Sequence, residues 1–336
     1  MMKKYPAPHI RGKMNGTLIP LYSLIALLPC EIAAVYYYGV RAIIILLLSM
    51  TMFALSDYLY ARYIRRDEAD WDTSSLVSGA ILALILPPTV SIWILLAGVL
   101  FGSVIVRQWF GGLGCSLFHP ALAARAFLSI AFPALVSTYA EPITSRWTAI
   151  SLWIGPVDTI SSATPSSGSG TALFELFSGR YSGALGETCA IAIVMGGIFL
   201  ITSGILRLHA PTAYLLVITI GYILSAGSGS SVQGGLKALI TGGVLFGAVF
   251  VMGDTATTPT SQTGRVIFGA GAGCLTLLIQ HFGNAAYAVG FAILAMNAVT
   301  PILDLYIRPR VFSKPDWYAR NMNKVTALRE KKERRV

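Results

Sequence analysis

Four stretches of the sequence concentrate groups that can do chemistry. The first, VDTISSATPSSGSG, runs from Val157 to Gly170 and holds seven Ser and Thr residues beside a single acid, Asp158. Within it Ser161, Ser162, Ala163 and Thr164 form an S-x-A-T string. A threonine hydroxyl can serve as a phosphoester oxygen. Pro165 and the glycines after it disfavour a helix there. The bland reading is a linker, and the sharper one is a hydroxyl that carries a cofactor. An S-x-A-T string arises by chance in roughly one chain in ten of this length, so it decides nothing alone.

The second stretch is GGLGCSLFHPALAARAFL, from Gly111 to Leu128. Gly111, Gly112 and Gly114 permit close backbone approach, and Pro120 suits the first turn of a helix. His119 precedes that turn, where a lone histidine is more often structural than a proton carrier. Arg125 follows Pro120 by five residues, about 9 Å into the helix. It either faces an anion or acid in the interior or snorkels to the surface. The third stretch, GRYSGALGETCAIAI, carries Glu187 and Thr188 at the mouth of an apolar run. Glu187 either favours the positive end of that helix or accepts hydrogen bonds from a ligand. In the fourth, GDTATTPTSQTGRVIFG, Asp254, Thr257 and Thr258 either line a polar pocket at a broken helix or cap the next one.

What must position these groups is a membrane bundle. Of 336 residues, 55% are hydrophobic and only 12% charged, against roughly 25% charged in soluble domains. Apolar runs long enough for a bilayer core of about 30 Å recur from Leu18 to Tyr306. Lipid leaves no partner for an open strand edge, so the spans must be helices. Ten are expected, near 18–38, 41–61, 75–87, 90–107, 119–135, 185–206, 211–227, 236–252, 265–281 and 285–307. The first lacks a small-residue cleavage pattern and reads as a retained span.

Basic residues set the orientation. Both tails are basic, and an even number of spans places both in the cytoplasm. That assignment puts 20 of the 25 Lys and Arg residues inside. The net charge of +10 is therefore a topology signal. It favours contact of the tails with membrane lipid and gives no reason to expect nucleic acid. The resulting organisation is a basic tail at 1–17, five helices over 18–135, an outside loop over 136–184, five helices over 185–307, and a basic tail at 308–336. The hydroxyl-rich segment falls in the outside loop. Four scattered cysteines and four scattered histidines, with no C-x-x-C, give no expectation of a metal or an iron–sulfur cluster held by this chain alone.

The two halves echo each other. VSGAIL from Val77 matches ITGGVL from Ile240, and RQWFGG from Arg107 matches IQHFGN from Ile279. An odd number of spans per repeat forces the two repeats to face opposite ways. Inverted repeats of this kind place binding sites where helices break at their interface. Pro87-Pro88 and GDTATTP are breaks at matching positions. The expected fold is thus an all-α polytopic membrane protein of about ten helices in two inverted five-helix repeats.

Six blocks occur in a telling order: PHIR (8–11), GGLG with F-H-P-A (111–121), DTISSATP (158–165), ALGET (184–188), DTATTP (254–259) and MNAVTPILDLYIRPRVF (296–312). Over almost the whole chain the sequence resembles the D subunit of Rnf electron-transport complexes, relatives of the B subunit of sodium-pumping NADH:quinone reductases. The resemblance implies a multi-pass subunit of the cytoplasmic (inner) membrane, within an ion-translocating oxidoreductase complex. It implies an electron-transfer subunit and not a complete enzyme. It implies FMN joined by a phosphoester to Thr164, with Asp158, Ser161, Ser162 and Ala163 as the attachment motif. It also implies a second, noncovalent flavin such as riboflavin. Implied partners are a second flavin-carrying subunit, iron–sulfur subunits and a flavin-attaching enzyme.

Under that reading Gly111, Gly112, Gly114, His119, Arg125, Glu187, Thr188, Asp254, Thr257 and Thr258 are candidates for a flavin pocket or an ion path, with no metal site. Ser162 stands where the family usually has Gly, and Ser116 and His119 where it usually has Asn. A channel or permease with the same repeat predicts no flavin and solute uptake by the chain alone. A scaffold predicts electron transfer indifferent to these motifs.

Overall fold

The computed structural model describes residues 18–65, 73–112, 114–139, 142, 177–179, 181–225, 236–237, 239–240, 243–283 and 285–307. Among these every regular element is helical, as an apolar chain requires when lipid offers no hydrogen bonds. The helices are α1 (Leu18–Tyr38), α2 (Val40–Tyr60), α3 (Thr73–Ile85), α4 (Ile92–Leu100), α5 (Pro120–Ala131), α6 (Pro133–Val136), α7 (Ala190–Thr202), α8 (His209–Ser225), α9 (Val244–Phe246), α10 (Gln262–Phe282) and α11 (Ala285–Tyr306). Wide π-type turns continue α2 over Ala61–Arg65, α4 over Phe101–Gln108 and α9 over Gly247–Val251.

Each of the ten expected stretches contains helix, but the lengths differ. Four helices are long and apolar enough to cross a membrane: Leu18–Tyr38, Val40–Ile64, Gln262–Phe282 and Ala286–Tyr306. The others are shorter, and their ends have local causes. The chain leaves α3 at Pro87-Pro88, where two missing N–H groups stop the ladder. α4 ends in a glycine reversal. Gly111, Gly112 and Gly114 have φ of 114°, 91° and 80°, a region that side chains with a Cβ rarely enter. The wide turn closes there with Gly112 N–H donating to Arg107 O at 3.0 Å. α5 stops at Phe132, before Pro133.

The sixth expected stretch is corrected at its start. Its helix begins at Ala190, not at 185. Residues 184–188 instead run as a loop against the end of α3. Leu185 N–H donates to Leu86 O at 3.1 Å and Gly186 N–H to Leu84 O at 2.7 Å. Carbonyls that α3 cannot satisfy internally find donors in that loop. A Cβ on Gly186 would lie 2.7 Å from Leu84 Cβ, so only glycine lets the two backbones come so close.

The core joins the halves. α1 packs on α7 and α5 on α11, while α2 packs on α3 and α8 on α10. Small residues set these approaches. Gly196 of α7 faces the Ala26 carbonyl of α1, and Gly269 of α10 faces the Ala210 carbonyl of α8. Large apolar side chains such as Leu47, Met195, Leu216 and Ile302 remain exposed on the outside of the bundle, as a lipid-facing surface demands.

Candidate functional site

The end of α3 is the meeting point of the chain. Arg41, at the start of α2, donates to Thr89 O at 3.1 Å, and Thr89 Oγ1 donates to Thr138 O at 2.6 Å. Tyr38 OH reaches Gly183 O at 3.3 Å, and Tyr37 OH donates to Ser178 O. Tyr181 OH lies 2.8 Å from Glu187 O and 3.2 Å from Ile240 O, a single hydrogen shared between two acceptors. The described residues on either side of 143–176 are therefore fastened at one place.

A buried ion pair occupies that place. Arg125 Nη1 donates to Glu187 Oε1 at 2.8 Å. Its Nη2 donates to Ala286 O, at the start of α11, at 3.2 Å. The Tyr139 hydroxyl lies against the same guanidinium. Arg125 and Glu187 are each 8% exposed, so the pair sits in a medium where charge needs a partner. Arg125 thus faces an acid in the interior and does not snorkel. Glu187 lies in the loop before α7, whose N-cap is Cys189; it does not occupy the first helical turn. Burial pushes the Tyr181 phenol well above its ordinary range, and the Glu187 carboxylate pushes it the same way. The hydroxyl stays protonated, and its one hydrogen is shared between the two carbonyls. Thr188 is fully buried in the same loop. Gly243, just before α9, has φ of 72°, and a Cβ there would fall 2.5 Å from Glu187 Oε1. The pair therefore touches α5, α11, the 184–188 loop and the start of α9. A shallow cleft beside it is lined by Leu122, Arg125, Ser129, Tyr287 and Phe291.

A second polar cluster lies towards the opposite end of α3, at Ser75, ~15 Å along the helix from Ile85. Arg107 Nε is 3.1 Å from Asp57 Oδ2. Ser103 Oγ donates to Asp57 Oδ1 at 2.7 Å, and Ser75 Oγ donates to Oδ2. Sequence reasoning misses Asp57 as a candidate. Its trace in the sequence is an acid in the last turn of an apolar run, a position that needs a partner.

The loop after α9 is a third polar region. Asp254 Oδ1 accepts from Ala256 N–H at 3.0 Å. Asp254 O accepts from Thr258 Oγ1 at 2.7 Å. Thr257 O accepts from Thr300 Oγ1 of α11 at 3.3 Å. Thr260 N–H and Oγ1 both donate to Asp304 Oδ1. The cap of α10 is Ser261, whose Oγ accepts from Gly264 N–H at 3.0 Å. The threonines therefore fold the loop and tie it to α11, and the capping role belongs to Ser261. His119 is the buried N-cap of α5 and makes no side-chain cap bond. Its Nδ1 and both polar atoms of Asn297 are buried without a hydrogen-bond partner among the described residues.

The structure thus brings Arg125, Glu187 and Thr188 together and holds Asp254, Thr257 and Thr258 in a separate loop. Gly111, Gly112 and Gly114 form the reversal after α4. Thr164, Asp158, Ser161, Ser162 and Ala163 lie outside the described residues. Among the described residues no group of His, Cys, Asp and Glu could hold a metal ion.

A family model described as NQR2, RnfD, RnfE matches residues 3–313. The D subunit of the Na(+)-translocating ferredoxin:NAD(+) oxidoreductase complex of Acetobacterium woodii is 33% identical over 316 residues, covering 91% of this chain and 93% of that protein. The D subunit of an ion-translocating oxidoreductase complex of Stutzerimonas stutzeri is 34% identical over 329 residues, covering 88% and 92%. One of the same name from Salmonella paratyphi A is 30% identical over 343 residues, covering 91% and 97%.

Proposed function

The chain belongs to the NQR2, RnfD, RnfE family, and on that premise we propose that it is a flavin-carrying electron-transfer subunit whose FMN is joined to Thr164 by a phosphoester. Membership makes it a multi-pass membrane subunit of an ion-translocating oxidoreductase complex, beside other subunits. The single observation that carries the flavin assignment is the S-x-A-T string at Ser161–Thr164, standing in order among five other family blocks. The fastening of Thr138, Tyr139, Ser178 and Tyr181 around the end of α3 supports it. A loop carrying a cofactor must return to a fixed place on the bundle. FMN would supply one- and two-electron chemistry, joining carriers of the two kinds.

The chain's own residues supply position and electrostatics. Arg125 and Glu187 hold α5, α11 and the loop beside α3 together. Tyr181 holds the far side of the hydroxyl-rich segment to Glu187 and Ile240. Buried atoms on His119 and Asn297 that have no partner among the described residues support a second, noncovalent flavin, since a bound polar molecule would relieve them.

Ten crossings in two inverted repeats belong to the same reading. The offset that carries Val77 onto Ile240 also carries Ile85, the end of α3, onto Ala248, within the wide turn that ends the α9 segment at Val251. α1 on α7 and α5 on α11 are the contacts a pseudo-twofold makes between an element and its own counterpart. Both tails lie in the cytoplasm and Thr164 outside, so electrons cross the membrane, and their passage drives Na+ or H+ through the complex.

The test is direct. Thr164→Val abolishes the ultraviolet in-gel fluorescence of the denatured chain while its insertion into the membrane is unchanged. A variant band that still fluoresces rejects the assignment.

A further inference from the structure

Helix α1 has two stripes. Ala26, Leu27, Cys30 and Ala34 are buried against the bundle, while Leu21, Ile25, Leu28, Ile32 and Tyr36 are exposed. Glu31 stands on the border between them. Its Oε1 is buried and has no hydrogen-bond partner among the described residues, while the residue as a whole stays partly exposed, so a donor from outside the chain meets the carboxyl at Oε2. It lies seven residues before Tyr38, about 10 Å in from the helix end, too deep for a short side chain to reach bulk water. An acid at that depth is costly unless a partner faces it, and intramembrane ionisable groups mark functional contacts.

A second feature points the same way. Pro29 sits inside α1 and has no N–H, so the carbonyl of Ile25 loses its regular helical donor. Two hydrogen-bond acceptors therefore lie within about two turns of each other at an apolar face. Lipid tails offer neither a donor. The complementary surface is a membrane helix that brings donors, and the chain belongs to a complex with other subunits.

We propose that the α1 face around Glu31 is an intersubunit surface. Its occupant is a transmembrane helix of another subunit of the complex, and a Ser, Thr, Asn, Gln, Lys or Arg side chain on that helix donates a hydrogen bond to the Glu31 carboxyl. The surface is independent of the flavin assignment.

The experiment uses the tagged full chain, co-expressed with its complex and extracted in mild detergent. Glu31→Leu lowers the co-purified sister subunit about three- to fifteen-fold, the range intramembrane hydrogen bonds contribute. Its amount in the membrane stays at the wild-type level, since leucine is an ordinary residue of such helices. Glu31→Gln keeps an acceptor oxygen and holds the partner within about twofold; if it falls with the leucine variant, the donor is Lys or Arg. In the otherwise unchanged chain, a photo-crosslinking phenylalanine at Ile32 yields an adduct with a sister subunit. A leucine variant that retrieves the full complex, or crosslinks confined to lipid or to this chain, overturns the proposal. Thr164→Val leaves co-purification unchanged, so failure of the flavin reading is seen separately.

Discussion

The Arg125–Glu187 pair makes a sharp statement about single side chains. Removing one partner strands the other charge in the interior, at a cost of about 3–5 kcal/mol. Arg125→Met and Glu187→Leu each therefore lower the melting temperature of the detergent-solubilised chain. The double variant recovers most of the loss, because two apolar groups need no partner. If the double variant melts at or below the worse single variant, the pair is not the source of the effect. Arg125 was legible as a charge too deep to ignore, but not its partner. The stretch of chain between Arg125 and Glu187, a separation of 62 positions, carries no periodicity that would bring them together. Glu187 even gave a misleading signal, since an acid just before an apolar run reads as a dipole-favoured first turn. The competing force was invisible at that level: free carbonyls on α3 capture the backbone of 184–188 and keep it from turning helical.

Elements shorter than a bilayer need neighbours to finish their hydrogen bonding, and α3 shows how. Its end is completed by Leu185 and Gly186 N–H groups from the other half. Gly186→Val would force the two strands of backbone apart at a cost of about 1–3 kcal/mol. The amides of Leu185 and Gly186, protected in the native chain, then exchange markedly faster with deuterium by mass spectrometry, while amides in α10 keep their protection. Equal protection at 185 and 186 in the variant would refute the contact. The prolines at 87 and 88 announced this break in the sequence, as the glycines at 111, 112 and 114 announced the reversal after α4. The wide turns over Phe101–Gln108 and Gly247–Val251 gave no comparable warning. Apolar periodicity fits α and π turns about equally over so few residues.

At the scale of the molecule, the distribution of Lys and Arg underlies the proposed topology, and it yields a measurement. In a background without native cysteines, Ser169→Cys reacts with a membrane-impermeant maleimide in intact cells. Arg320→Cys reacts only after permeabilisation. The opposite pattern would invert the orientation. Apolar run lengths revealed a polytopic helical chain, because the bilayer imposes one strong length scale. They did not reveal that only four of the described helices reach that scale unaided. Glycine contacts such as Gly196 on Ala26 explain how the shorter helices are held. Close backbone approach there depends on the pairing of distant segments, and no local pattern encodes it.

The stitch between α3 and the 184–188 loop is made by main-chain atoms on both sides. Apart from Gly186, which must stay without a Cβ, the side chains there can drift over evolutionary time without unpicking it. Only a proline, an insertion or a deletion removes an amide from the seam. Relatives that keep no other recognisable letter of the motif than that glycine would keep the same join, and alignment gaps would be rarer there than mismatches.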